Sequence, residues 1–217
     1  MASKEDTYKT ISSAAEGFLK DRGSKFYAYA YPVTNLDHVE AAQAALRKQH
    51  NKARHHCYAY RLGTDGNTFR ANDDGEPSGT AGKPILGQID KQELCDVLVV
   101  VVRYFGGTLL GTGGLIQAYR KATEDALAQA TIVEKIITLK YKLDFDYSLM
   151  APIMNAIKKQ KLNVLEQSFH ESAYIVIDFP KSEAKDALIT LKANVLGISF
   201  DQVTIKTKIG GLKILEV

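Results

Sequence analysis

The chain has 217 residues, 45% hydrophobic and 24% charged, which suits one large or two modest globular domains that each bury a core. No apolar run approaches the roughly 18 to 20 residues needed to span a bilayer, the longest being Val97–Val102, and Met1–Asp6 lacks the apolar core of a signal peptide, so a cytoplasmic protein with no membrane partner is expected. The two cysteines, Cys57 and Cys95, form no Cys-x-x-Cys pair and cannot supply a four-thiolate zinc site, and both read as reduced, packed thiols.

In chain order, Tyr8–Ile11, Glu16–Lys20 and Lys25–Tyr31 read as strands, with Asp21-Arg22-Gly23-Ser24 as a turn. Thr34 or Asn35 is placed to cap a helix through Leu36, Val39, Ala42 and Leu46. His56–Leu62 and Thr68–Ala71 predict a hairpin about the loop Gly63–Asn67, and residues 79–89 predict a short helix. The apolar run Val97–Val102 predicts a strand buried on both faces. Leu115, Tyr119, Ala122 and Ala126 mark a helix that ends near Ala130. A domain boundary is expected at about residues 132–137, giving domains 1–134 and 135–217.

Beyond it, Leu139, Tyr141, Leu143, Phe145 and Tyr147 alternate with polar residues, the period of a half-buried strand. Met150, Ile153, Met154 and Ile157 follow at helical spacing, with Ser148 as the expected cap. Asn163–Phe169 and Ala173–Phe179 predict two strands. Ser182 then caps a helix with Ala184, Ala187, Leu188 and Leu191 on its apolar face, and a last strand is expected at Asp201–Lys206. The order β-α-β-β-α-β is the split βαβ of ferredoxin-like folds. Helices on one side would leave the opposite sheet face for solvent or a partner. The fold class is therefore α+β in two domains.

The net charge of +3 is weak, but its distribution is informative. Residues 1–134 carry 16 Lys and Arg against 16 acids, while residues 135–217 carry 12 Lys, no Arg and 9 acids. All seven arginines thus lie in the first domain. Arginine's planar fork suits specific phosphate or carboxylate contacts, and lysine acts as a flexible point charge.

Two glycine-rich segments each precede a predicted helix: Asp73-Asp74-Gly75-Glu76-Pro77-Ser78-Gly79-Thr80-Ala81-Gly82-Lys83-Pro84, and Arg103-Tyr104-Phe105-Gly106-Gly107-Thr108-Leu109-Leu110-Gly111-Thr112-Gly113-Gly114. Glycines leading into a helix N-terminus expose backbone N–H groups beside the positive end of the helix dipole, a geometry that favours phosphate. Named nucleotide motifs fail here. Pro84 stands where a Walker A loop needs Ser or Thr, and Ile116 stands where a dinucleotide fingerprint needs Gly. The expected phosphate-binding residues are Lys83 and Arg103, with the backbone about Thr80, Gly82, Gly106, Gly107, Thr112 and Gly113. Asp73, Asp74, Glu76, Ser78, His55 and Tyr104 complete the expected surface.

Asp73, Asp74 and Glu76 have the chemistry to hold Mg²⁺ or to act as acid and base, but Asp-Asp-Gly is also turn chemistry, and the structural or partner-contact reading is preferred. Ser78 lies outside a Gly-x-Ser-x-Gly elbow. His55 and His56 are adjacent on a strand and point to opposite faces, which disfavours a shared metal. Tyr104, at a strand end, has the shape to stack on a base. No catalytic residue, metal or cofactor is assigned.

These segments, with Arg22-Gly23-Ser24-Lys25-Phe26 and His55-His56-Cys57-Tyr58-Ala59-Tyr60 upstream and the strand Val99–Val102 between them, resemble the signature of the IMPACT family in its bacterial, YigZ-type form. The resemblance covers essentially the whole chain. It implies a first domain like the second domain of ribosomal protein S5 and a second like the ferredoxin-like domains of elongation factor G. Eukaryotic IMPACT proteins regulate translation, and for bacterial members the resemblance implies an RNA- or ribosome-related role with no established reaction. The expected function is an RNA- or ribosome-associated binding protein in translation or its regulation, with no DNA specificity. The alternatives are an enzyme acting on a phosphorylated small molecule or nucleotide, or a protein–protein adaptor using the open sheet face of the second domain.

Overall fold

The computed structural model describes residues 6–170 and 173–217. The protein is a mixed α+β chain that divides into two compact units, Tyr8–Lys135 and Ile136–Val217, with Asp6 and Thr7 grouped with the second. Among the described residues, no helix is long and apolar enough to cross a membrane.

In the first unit, β1 (Thr7–Ile11) pairs with β7 (Ile132–Ile136), the stretch where the sequence places its boundary. The main sheet is antiparallel, in the order β2-β3-β6-β4-β5. Its strands are β2 (Ala15–Asp21), β3 (Ser24–Pro32), β4 (His55–Leu62), β5 (Thr68–Asn72) and β6 (Val97–Tyr104). The Arg22-Gly23 turn joining β2 to β3 has φ of 44° and 83°, the positive values that a two-residue hairpin requires.

Alternation sends Phe26 and Ala28 to one face of this sheet and Tyr27, Tyr29 and Tyr31 to the other. The first face packs against α2 (Gly82–Lys91) and α3 (Gly111–Gln129) through Ile85, Ile89, Tyr119 and Ala122. The second packs against Val39 and Leu46 of α1 (Leu36–Gln49), whose N-cap Asn35 accepts from the His38 N–H at 2.9 Å. Strand β6 lies at the sheet centre with both faces covered, so every residue from Val97 to Arg103 is buried, and the apolar run is explained.

The second unit runs β8 (Thr138–Phe145), α4 (Met150–Gln160), β9 (Asn163–Phe169), β10 (Ala173–Pro180), α5 (Ala184–Leu196) and β11 (Leu212–Glu216). Its antiparallel sheet has the order β11-β8-β10-β9. Ala173, Ile175, Ile177 and Phe179 alternate into a core with Ile153, Ile157, Leu188 and Leu191 from the helices.

Three local expectations for this unit are corrected. The last strand is Leu212–Glu216, not Asp201–Lys206. Phe200–Gln202 forms a 3-10 turn, Val203 packs with Ile189 and Ala193 of α5, and Lys192 Nζ holds the Thr207 carbonyl at 2.9 Å. Gly211, at φ +76°, turns the chain so that Leu212 and Ile214 pair with Phe145 and Leu143. Ser148 caps nothing, because it lies within a 3-10 turn, Tyr147–Leu149, that leads directly into α4. Ser182 does not cap α5 either: its hydroxyl bonds the Asp6 carboxylate, which also accepts from the Ser182 N–H at 2.9 Å.

Candidate functional site

The first glycine-rich segment folds around its own acids. Asp73 Oδ1 accepts from the N–H groups of Ala81 and Gly82 at 2.9 and 2.8 Å, and Oδ2 accepts from Gly79 at 2.8 Å. These are the donors that would have cradled a phosphate at the start of α2. Burial alone would raise the Asp73 carboxyl, but the N–H groups of Gly79, Gly82 and Ala81, with Lys83, hold it below the usual aspartate range. Thr80 is buried, and its hydroxyl and N–H both donate to the Pro77 carbonyl at 2.6 and 3.0 Å. A Cβ on Gly82 would sit 2.5 Å from the Asn72 nitrogen, so close backbone approach explains that glycine. Thr80 and Gly82 are therefore corrected from phosphate contacts to structural residues.

Asp74 works in another direction. Its Oδ1 accepts from Arg47 of α1 at 2.8 Å, its Oδ2 from the His56 N–H at 2.6 Å, and its carbonyl from His55 Nδ1 at 2.8 Å. Burial opposes ionisation here too, and the Arg47 and His56 bonds override it, so this carboxyl also stays below the ordinary range. His56 is buried on the α1 side, and burial lowers its pKa.

Glu76 and Arg103 form a buried ion pair at 2.7 Å, with side-chain exposures of 4% and 6%. The Tyr119 hydroxyl donates to the same Glu76 oxygen at 2.8 Å, and Cys57 Sγ lies 3.3 Å from that hydroxyl and 2.9 Å from the Asp73 carbonyl. Burial pushes the Cys57 thiol and the Tyr119 phenol well above their ordinary values. Arg103 also approaches Ser24 Oγ at 3.4 Å and stacks over Phe26. The expectation that Arg103 meets phosphate is therefore corrected: a guanidinium buried against a carboxylate is already neutralised. Glu76 is likewise removed from the surface of the site. The pair clamps the first loop to the start of the second.

The second segment behaves differently. The Gly106 N–H donates to Ser24 Oγ at 3.2 Å, and a Cβ there would fall 1.9 Å from the Gly23 carbonyl carbon, so Gly106 is a packing residue rather than a phosphate contact. At Gly107, Gly111 and Gly113, a Cβ would meet nothing within 4 Å. Gly111, Thr112 and Gly113 are exposed at the N-terminus of the 19-residue α3, and among the described residues no side chain caps it. The first-turn N–H groups of a helix have no intrahelical partners.

Gly113, Ile116 and Arg120 follow at i, i+3 and i+7 on one face of α3. Ile116 and Arg120 line a groove of about 520 Å³ with Lys83, Pro84, Gln88 and Lys91 of α2. Lys83 and Arg120 are exposed, and Lys91 pairs with Glu124 at 3.4 Å across the surface. Lys91 and Arg120 were not singled out from the sequence. The available signal was Arg120's helical spacing from Gly113.

Of the remaining expected residues, Ser78 is exposed on the first loop. His55 is tied to Asp74 below that loop. Tyr104 lies on the opposite sheet face, with its hydroxyl 3.0 Å from His50 Nδ1. The structure thus brings Lys83 to a groove lined by Ile116 and Arg120 of α3, and it places Tyr104 on the opposite sheet face.

The family model described as the Impact N-terminal domain matches residues 22–127, which hold both loops and the groove. An IMPACT family member of Haemophilus influenzae is 35% identical over 175 residues, 79% of this chain and 85% of that protein. The chain belongs to the IMPACT family. The family member YigZ of Escherichia coli is 35% identical over 159 residues, 71% of this chain and 78% of YigZ. A crystal structure of a hypothetical protein covers 98% of both chains at 27% identity, with a TM-score of 0.72.

Proposed function

We propose that this IMPACT family member is an RNA- or ribosome-associated binding protein that acts in translation or its regulation, and that it holds phosphate on the α2–α3 side of its first unit. The observation that carries the reading is the open N-terminus of α3. Its N–H groups and dipole attract anions, and Arg120, Lys83 and Lys91 lie along the groove between α2 and α3. In this assignment Lys83 and Arg120 contact phosphate, and the N–H groups of Gly107, Thr112 and Gly113 cap it. Translation enters through the family, whose eukaryotic members regulate it. The reading takes residues 1–134 as an S5-like domain and residues 135–217 as a ferredoxin-like one, a name that the β11-β8-β10-β9 order supports.

Filter-binding titrations against structured RNA and ribosomal subunits at low and moderate salt test the proposal. Affinity should fall steeply with salt, and Lys83→Gln with Arg120→Gln should flatten the log–log slope by roughly two. Absence of binding at low salt removes the reading.

A further inference from the structure

The face of the first unit's sheet that turns away from α2 and α3 carries a second surface. Three aromatic side chains occupy neighbouring strands there. Phe18 of β2 is paired in register with Tyr27 of β3, their rings 5.0 Å apart, and Tyr104 of β6 meets Tyr27 at 5.9 Å in an edge arrangement. Phe18 is 47% exposed, and Tyr27 and Tyr104 are half-buried. Together with Phe105, which is 54% exposed at the end of β6, Tyr27 and Tyr104 line a hollow of about 480 Å³. That volume lies within the range of small-ligand sites, about 300 to 1,000 Å³.

One ring of the shelf, Tyr104, is tethered through His50, which also lines the hollow. The Tyr104 hydroxyl lies 3.0 Å from His50 Nδ1, and His50 Nε2 lies 2.7 Å from the Tyr29 hydroxyl. Burial lowers the His50 pKa and keeps the imidazole neutral, able to accept at one nitrogen and donate from the other. A ring fixed in this way loses little side-chain freedom when a ligand stacks on it.

The shelf is also rimmed by positive charge. Lys20 and Lys25 stand directly opposite each other across β2 and β3 on this same face, and both are exposed. Like charges at a cross-strand pair repel. Neither lysine takes part in an ion pair among the described residues. An arrangement that weakens the hairpin, beside exposed aromatic rings that avoid water, is complementary to a ligand with a flat apolar face and an anionic backbone.

We propose that the shelf of Phe18, Tyr27 and Tyr104, rimmed by Lys20 and Lys25, binds an unpaired nucleotide of single-stranded RNA, the base stacking on the rings and the flanking phosphates meeting the lysines. This deepens the RNA-binding reading and rests on it, but it lies on the opposite face of the sheet from the α2–α3 groove.

The test uses the full chain, a short unstructured RNA carrying one 2-aminopurine, and a fully paired RNA hairpin. Binding of the unstructured RNA should quench the 2-aminopurine. Phe18→Ala should weaken that binding by about ten-fold and relieve the quench, with the hairpin affinity unchanged. A second variant, Lys20→Gln with Lys25→Gln, removes charge from exposed positions without touching the core, and should lower the salt slope for the unstructured RNA by roughly one to two. If both variants bind and quench like the parent while Lys83→Gln with Arg120→Gln loses affinity, the shelf is overturned and the groove reading stands. Failure of the parent chain to bind either RNA removes both.

Discussion

The two helix N-termini on one face of the first unit began as equivalent glycine-rich expectations, and they have opposite fates. At α2, the Asp73 carboxylate fills the position an anion would take, satisfying three N–H groups. At α3, no side chain among the described residues does so, and Gly111–Gly113 face solvent. A helix start supplied with its own acid is a stability device, whereas one left bare in a folded protein retains its affinity for external anions. Glycine content does not distinguish the two. What does is whether an acid lies within reach upstream, and whether a Cβ would collide, as it would at Gly82 and Gly106 and would not at Gly107 and Gly113.

The harshest way to break this comparison is to release the clamp between the loops. Arg103→Ala leaves the Glu76 carboxylate buried without its cation, and should destabilise the protein by about 3–5 kcal/mol, read from urea midpoints. Both loops should loosen together, seen as faster amide exchange at residues 73–82 and 104–107.

Less severe is Asp73→Ala, which bares the start of α2 and should cost about 1–3 kcal/mol. If the carboxylate stands in for an anion, sulfate should raise the melting temperature of this variant more than that of the parent. Equal responses would mean that α2 has no latent anion site. The same residue gives a pH signature. Asp73 and Asp74 hold their protons less tightly folded than unfolded, so their contribution is complete above the unfolded aspartate value near pH 4 and drains away as pH falls through the lower folded values. Acid titration of stability should show a shallower decline in Asp73→Asn than in the parent.

The smallest expected effect is also the sharpest discriminator. Thr112→Asp supplies α3 with the acid it lacks, and should stabilise the protein by about 0.3–1 kcal/mol. It should at the same time weaken RNA binding in the filter assay. Stabilisation without loss of RNA affinity would show that the α3 terminus is not where phosphate sits.

Most elements were legible because period-two and helical spacing are local properties, as in Tyr27–Tyr31 and Leu139–Phe145. The last strand was misread because Val203 and Ile205 alternate as convincingly as Leu212 and Ile214. Only the long-range register with β8 decides between them. The acids were harder still. Asp73, Asp74 and Glu76 look like one cluster in sequence, yet they serve the start of α2, Arg47 and Arg103 respectively. Two of those partners lie 27 residues away in the chain. Sequence could name the acids as a group, but it could not divide them among their partners.

The link between Asp6 and Ser182 spans 176 positions. The second unit is consequently discontinuous in the chain: Asp6 is separated from the rest of that unit by the whole of Tyr8–Lys135, so this acceptor is synthesised 176 residues before its donor. Residues 136–217 expressed alone would lack that acceptor, leaving the Ser182 N–H and hydroxyl to water and the entry to α5 less firmly tied.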